Sequence, residues 1–150
     1  MRHAPDPDRG YPRPQLERDS WISLNGTWDF AFGDVRRAWP SSVQWDRRIR
    51  VPFSPEAPLS GIGDTGFHPV CWYRRTFETP DLHPGERLLL HFGAVDYVGV
   101  VWINGRPAGR HTGGYVPWTV DITELLEHGP TQTLVLRADD DPTDLAKPRG

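Results

Sequence analysis

The sequence predicts an all-β sandwich, and three observations carry that prediction. Turn formers are dense, with 15 Gly and 16 Pro in 150 residues. About seven or eight short apolar runs alternate with turn signals, and only one stub of helical pattern interrupts them. Asn104-Gly105 separates two extended runs, the strongest short-range hairpin signal, because a type I′ turn needs positive φ at both central residues.

In chain order, residues 1–20 are rich in Pro and charge and predict a flexible arm, so that the sandwich spans 21–150. Order is expected from Trp21. In TWDFAF (27–32), Trp28 and Phe30 share one face while Thr27, Asp29 and Ala31 share the other, the pattern of a half-buried strand. Arg48–Val51 is a short strand closed by Pro52. Pro55 and Pro58 then forbid a regular ladder, which makes 52–70 a long surface loop. Within it, Gly61–Gly66 matches G-x-G-x-x-G. A dinucleotide site would need a strand before the glycines and a helix after them. Pro58 precedes and His68-Pro69 follows, so the stretch is read as turn-rich loop.

Val70–Glu78 is the next strand, and Leu82–Gly85 a turn. In Arg87–Phe92, Leu88, Leu90 and Phe92 alternate with Arg87, Leu89 and His91. Tyr97–Ile103 is apolar or small on both faces, which places it in a sheet interior. RPAGRH, a bend at Gly113-Gly114-Tyr115 and the run WTVDI follow. Asp121 is positioned to cap one helical turn with Glu124 three residues on, and Gly129-Pro130 stops it. Residues 133–138 are a last strand before a polar tail. A sandwich closes with a partner strand, so the domain is expected to be incomplete at its C-terminus.

Net charge of −3 supplies no electrostatic argument for nucleic acid or an acidic membrane surface. No apolar stretch has the length of a membrane span, and the N-terminus lacks the apolar region of a secretory signal, so a reducing cytoplasm is the default. Cys71 is the single cysteine, which excludes a disulfide framework and a cysteine-based zinc site within the chain. It is read as a buried structural thiol.

The search for chemistry finds no catalytic constellation. The six Glu (17, 56, 78, 86, 124 and 127) fall in loops, at strand ends or on the helical stub, none in the apolar setting that raises a carboxyl pKa for acid catalysis. The six His show no zinc-binding spacing, and the Asp139–Asp144 cluster lacks the Gly and Glu of a calcium loop, so no metal and no cofactor are expected. Three residues remain as candidates for contact: Asp96 between two apolar strands, His111 before the glycine bend, and Tyr115 within it. For Asp96 a turn-capping carboxylate and a ligand contact both stay open.

LNGTWDF (24–30), WYRRTF (72–77), the run 95–123 and LVLRADDDP (134–142) together resemble the N-terminal sugar-binding domain of glycoside hydrolase family 2. The resemblance implies a jelly-roll β-sandwich of the galactose-binding-domain-like type. In an intact enzyme an immunoglobulin-like domain and a catalytic (β/α)₈ barrel would follow it. The Pro-rich loop 51–63 is most similar to shorter β-galactosidase-type members. The family's catalytic pair is two barrel Glu, with the acid/base in an Asn-Glu step. Here Asn25 and Asn104 are each followed by Gly, so no catalytic residue carries over. The implied partners are a β-glycoside bound by the intact enzyme, the barrel, and further copies in a homo-oligomer. Asp96, His111 and Tyr115 are the residues expected to touch sugar or barrel. Two other readings are a free-standing carbohydrate-binding module, using Tyr97, Tyr115 and Trp118, and a purely structural oligomerisation domain.

Overall fold

A computed structural model describes residues 20–34, 39–141 and 143. Apart from Ser20, the expected N-terminal arm lies outside the described residues. Eight strands are present among them: β1 Gly26–Phe32, β2 Arg47–Val51, β3 Val70–Glu78, β4 Leu89–Phe92, β5 Val98–Ile103, β6 Arg106–Thr112, β7 Trp118–Asp121 and β8 Thr131–Asp139. Six of them form one sheet in the order β2-β1-β3-β8-β5-β6, and β4 pairs with β7 in a second. Every pairing is antiparallel. The result is the two-layer sandwich that the alternating sequence predicts.

Local chemistry accounts for the elements. Asn104 and Gly105 have φ of 52° and 76°, the doubly positive turn expected between β5 and β6. β5 lies between β8 and β6, which explains why both of its faces are apolar or small. The outer strands carry Arg47, Arg48 and Arg50 on β2 and Arg106, Pro107 and Arg110 on β6. Charge and proline on edge strands discourage pairing with another chain.

The main core lies between the sheets. Phe30, Ile49, Val101, Ile103, Leu134 and Leu136 from the large sheet meet Leu90 and Val120 from the small one, with Ile122 and Val95 at its margin. Each such side chain, fully buried, contributes about 1.5–3 kcal/mol. Ile62 of the 52–70 loop packs on the same core, so that loop covers apolar surface as it crosses the molecule. The glycine-rich stretch inside it leads into β3 and not into a helix.

Two expectations are corrected. β1 is half-buried only over its first part: Thr27 is exposed and Asp29 partly buried, whereas Ala31 joins Val70, Trp72, Trp102 and Val135 in a second core on the outer face of the large sheet. Val43 and Trp45, from the β1–β2 connection, pack against it. The turn after β7 is a 3-10 turn, Thr123–Leu125, without the reciprocal glutamate cap. Instead Asp121 Oδ1 accepts from the Thr123 amide at 3.1 Å and its hydroxyl at 2.7 Å, while Oδ2 accepts from Arg87 Nε at 2.7 Å. Glu124 Oε1 lies 3.6 Å from Arg87 Nη1.

The Arg87 hydrogen bond, followed by those of Thr123, holds the Asp121 carboxyl down at about 2 against an ordinary 3.8. A carboxylate whose pKa is lower in the folded state than in the unfolded chain stabilises the fold fully above its unfolded value. That contribution is lost as the pH falls from about 4 through about 2. Asp121→Asn should therefore have a lower urea midpoint than the parent at pH 6, and the gap should narrow below about pH 4 and close only below about pH 2. A gap independent of pH would show that this pair adds nothing through its charge.

Candidate functional site at the loop rim

The strand directions bring residues 33–34, 39–46, 61–69, 93–97 and 113–117, with Asp140 after β8, to one end of the sandwich. All three candidate residues lie on this rim. They share one support, the bend at Gly113-Gly114 between β6 and β7.

Trp118 opens β7 and is the structural centre of the rim. Its ring stacks on Phe92, the cross-strand partner on β4, at 4.5 Å and 18°, and on His111 of β6 at 5.3 Å and 13°. The indole has room because glycine faces it from the large sheet. A Cβ on Gly99 would stand 3.0 Å from Trp118 Cζ2. A Cβ on Gly109 would stand 2.9 Å from Val120 Cγ2 and 3.7 Å from Trp118 Cζ3. Two strand glycines thus let the two sheets approach beneath three stacked rings.

The bend is held from both sides. The Gly113 amide donates to the Tyr97 carbonyl at 2.8 Å, tying it to the start of β5. Asp96 presses its carboxylate against Gly114, where a Cβ would meet Asp96 Oδ1 and stand 2.7 Å from Cγ. The Asp96–Tyr97 peptide is cis. His111 Nε2 lies beneath the bend, 3.6 Å from where a Gly113 Cβ would stand, and has no hydrogen-bond partner among the described residues. The same holds for Trp118 Nε1. The structure therefore puts Asp96 against Gly114 and His111 near Gly113 of one glycine turn, and Tyr115 projects from that turn with 59% of its surface exposed.

The far side of the rim carries a pair that the sequence reading passed over as plain loop. His68 Nε2 lies 3.2 Å from Asp64 Oδ2, and the His68 ring stacks on Phe32 at 3.4 Å. The guanidinium of Arg47 sits 4.7 Å from the same Phe32 ring. The Gly66 amide and then His68 hold the Asp64 carboxyl below its ordinary value. The i,i+4 spacing of Asp64, inside the G-x-G-x-x-G stretch, and His68, two residues past it, was the available signal. Nearby, burial pushes the Cys71 thiol up to about 12, with Glu56 and Asp139 adding to the effect. It stays protonated at neutral pH and is no nucleophile.

This end of the molecule has no cluster of His, Cys, Asp or Glu able to hold a metal ion among the described residues. The glycine bend offers contact surface: the exposed Tyr115, a constrained carboxylate and an imidazole, on a turn that packing fixes in place. Of the aromatics named for a binding module, Trp118 and Tyr97 are half-buried and Tyr115 is exposed.

Comparison with known proteins places this geometry. The family model for the glycosyl hydrolase 2 galactose-binding domain-like domain matches residues 68–147. The β-glucuronidase of Canis lupus familiaris is 33% identical over 138 residues, covering 80% of this chain and 20% of the relative. A β-galactosidase of Thermoanaerobacter pseudethanolicus is 38% identical over 66 residues, covering 44% of this chain and 9% of the relative. Among solved structures, a Faecalibacterium prausnitzii β-glucuronidase superposes with a TM-score of 0.66 at 32% identity, over 79% of this chain and 20% of its own. The chain thus spans about a fifth of the length of the β-glucuronidases it matches. The matched segment starts at His68, takes in the whole Trp118 stack and the glycine bend, and continues past the end of β8 to residue 147. On that evidence the chain belongs to the glycosyl hydrolase 2 galactose-binding domain-like family.

Proposed function

We propose that this chain is the non-catalytic N-terminal sandwich of a retaining β-glycosidase and that it shapes one side of the substrate cleft. The observation that supports this most directly is the likeness to β-glucuronidases over four-fifths of the chain. The placement of the carboxylates agrees with a non-catalytic role. All six Glu but Glu17 fall on described residues, and each of those five is exposed. A general acid needs a carboxyl lifted by apolar surroundings. Chemistry would then reside in a barrel supplied by the rest of the polypeptide, with a covalent glycosyl-enzyme intermediate. The rim bearing Asp96, His111 and Tyr115 faces sugar or barrel in this reading.

The substrate class shifts with the relatives. The Pro-rich loop favoured β-galactosides, whereas the long matches are to β-glucuronidases. We therefore assign β-D-glucuronides. The full-length protein should hydrolyse a 4-nitrophenyl β-D-glucuronide with kcat/KM at least about tenfold above that for the galactoside, since a site built for a carboxylate discriminates strongly against its absence. Preference for the galactoside would sink the glucuronide assignment, and turnover of neither would sink the glycosidase reading.

A further inference from the structure

The 61–69 loop crosses the rim between two anchored points. Ile62 packs on the main core at one end. At the other, the Pro69 carbonyl accepts from the Asp140 amide at 2.9 Å, and the Val70 carbonyl accepts from the Gly33 amide at 2.8 Å. Between these points the Asp64 amide donates to the Pro55 carbonyl at 3.1 Å. The other polar contacts of residues 63–68 among the described residues run through one group, the Asp64 carboxylate. Its Oδ1 accepts from the Gly66 amide at 2.8 Å, and its Oδ2 lies 3.2 Å from His68 Nε2.

The Asp64–His68 contact is close without being aligned as a hydrogen bond, since the buried Nε2 has no bonded partner among the described residues. An attraction of that kind depends on charge. The Gly66 amide, and then His68, hold the Asp64 carboxyl below its ordinary 3.8, so it is ionised at neutral and mildly acidic pH. An imidazole is the side chain whose charge changes within that range. Beside the carboxylate, an imidazolium makes an ion pair that a neutral ring does not. It also gains from the Phe32 face on which the ring stacks at 3.4 Å. The opposing charge is Arg47, whose guanidinium sits 4.7 Å from the centre of the same Phe32 ring and whose Nε has Asp46 Oδ2 at 3.7 Å. Cys71, the cross-strand partner of Phe32, is held protonated, and Glu56 and Asp139 add negative charge around it. A carboxylate in direct contact outweighs a guanidinium that has its own carboxylate beside it.

We propose that Asp64 and His68 form a pH-sensitive latch on the rim: a proton on the imidazole fastens residues 63–68 to the sandwich, and its loss loosens them. The latch tightens as the pH falls through the titration of the imidazole. It loosens again in stronger acid, where the Asp64 carboxylate is neutralised. The side chain it presents is Phe67, 64% exposed and carried between the two latch residues.

The test is amide hydrogen exchange on the intact protein, read by mass spectrometry as protection factors for residues 65–68, so that the pH dependence of the chemical rate cancels. Measurements at about pH 5.5 and about pH 8 bracket the range in which imidazoles change charge. The latch predicts about two- to fivefold greater protection at the lower pH, the worth of a partly exposed ion pair. Asp64→Asn keeps an oxygen for the Gly66 amide, and His68→Phe keeps a ring on Phe32, but neither variant can form the ion pair. Both should show the same protection at the two pH values. Equal or reversed protection in the parent, or a pH dependence that persists in either variant, would overturn the proposal. Should His68→Phe misfold, the isosteric Asp64→Asn carries the test alone.

Discussion

Trp72→Ala should destabilise the domain by about 3–5 kcal/mol, the range for truncating a fully buried large aromatic. Trp72 has none of its surface exposed although it points to the outer face of the six-stranded sheet. Its ring lies 5.5 Å from that of Trp102, itself 4% exposed, and the guanidinium of Arg137 sits 5.6 Å from its centre. The backbone is fitted to it as well: a Cβ on Gly33 would stand 2.7 Å from the indole Cδ1 and Nε1. With a urea m-value of about 1–3 kcal/mol per molar, the loss should lower the midpoint by about 2 M with little change of slope. Thr76→Ala, on the same face of β3 but exposed, should stay within about 0.5 kcal/mol of the parent. A Trp72→Ala cost as small as that of Thr76→Ala would mean that the outer aromatic patch is a covered surface and not a second core.

That second core marks where sequence reasoning stopped. The strands themselves were legible: β3 runs Val70–Glu78 as expected, and the Asn104-Gly105 hairpin has the predicted conformation. In VCWYRRTFE, however, both parities are apolar, with Cys71 and Tyr73 on one side and Val70 and Trp72 on the other. A period of two then says that the segment is a strand without saying which face is wet. The answer depends on Val43 and Trp45, nearly thirty residues earlier in irregular chain, and on Arg74, whose guanidinium lies 4.6 Å from the Trp45 ring. The rim was partly legible for a similar reason. The glycine bend and its neighbours Asp96, His111 and Tyr115 stood out as residue types. The stack that fixes them did not, because Phe92, His111 and Trp118 come together only through pairing of β4 with β7 and packing of β7 over Gly99 and Gly109. Glycine in a strand signals close approach, but not of what.

Gln132→Leu should cost about 2–4 kcal/mol through lost hydrogen bonds, with almost no change in volume. Gln132 has no exposed surface, yet each amide atom is used twice. Nε2 donates to Thr79 Oγ1 at 2.7 Å and to the Glu127 carbonyl at 2.9 Å, while Oε1 accepts from the Glu127 amide at 2.9 Å and from Asn104 Nδ2 at 2.6 Å. Asn104 in turn donates to the Leu125 carbonyl at 3.0 Å and accepts from the Thr133 amide at 2.9 Å. One side chain therefore ties the end of β3, the β5–β6 turn and the β7–β8 connection together. Leucine would fill the space but leave the Glu127 backbone groups and one Asn104 proton without their partners. Thr79 is compensated in part, since its hydroxyl also donates to the Gly129 carbonyl at 2.7 Å. Asn104→Gly removes the other amide while keeping a residue suited to φ of 52°. If the two amides act as one unit, the double variant should be at least about 1 kcal/mol more stable than the sum of the single losses predicts. Strict additivity in urea unfolding would show that Gln132 holds the β7–β8 connection on its own, with Asn104 acting only on its hairpin turn.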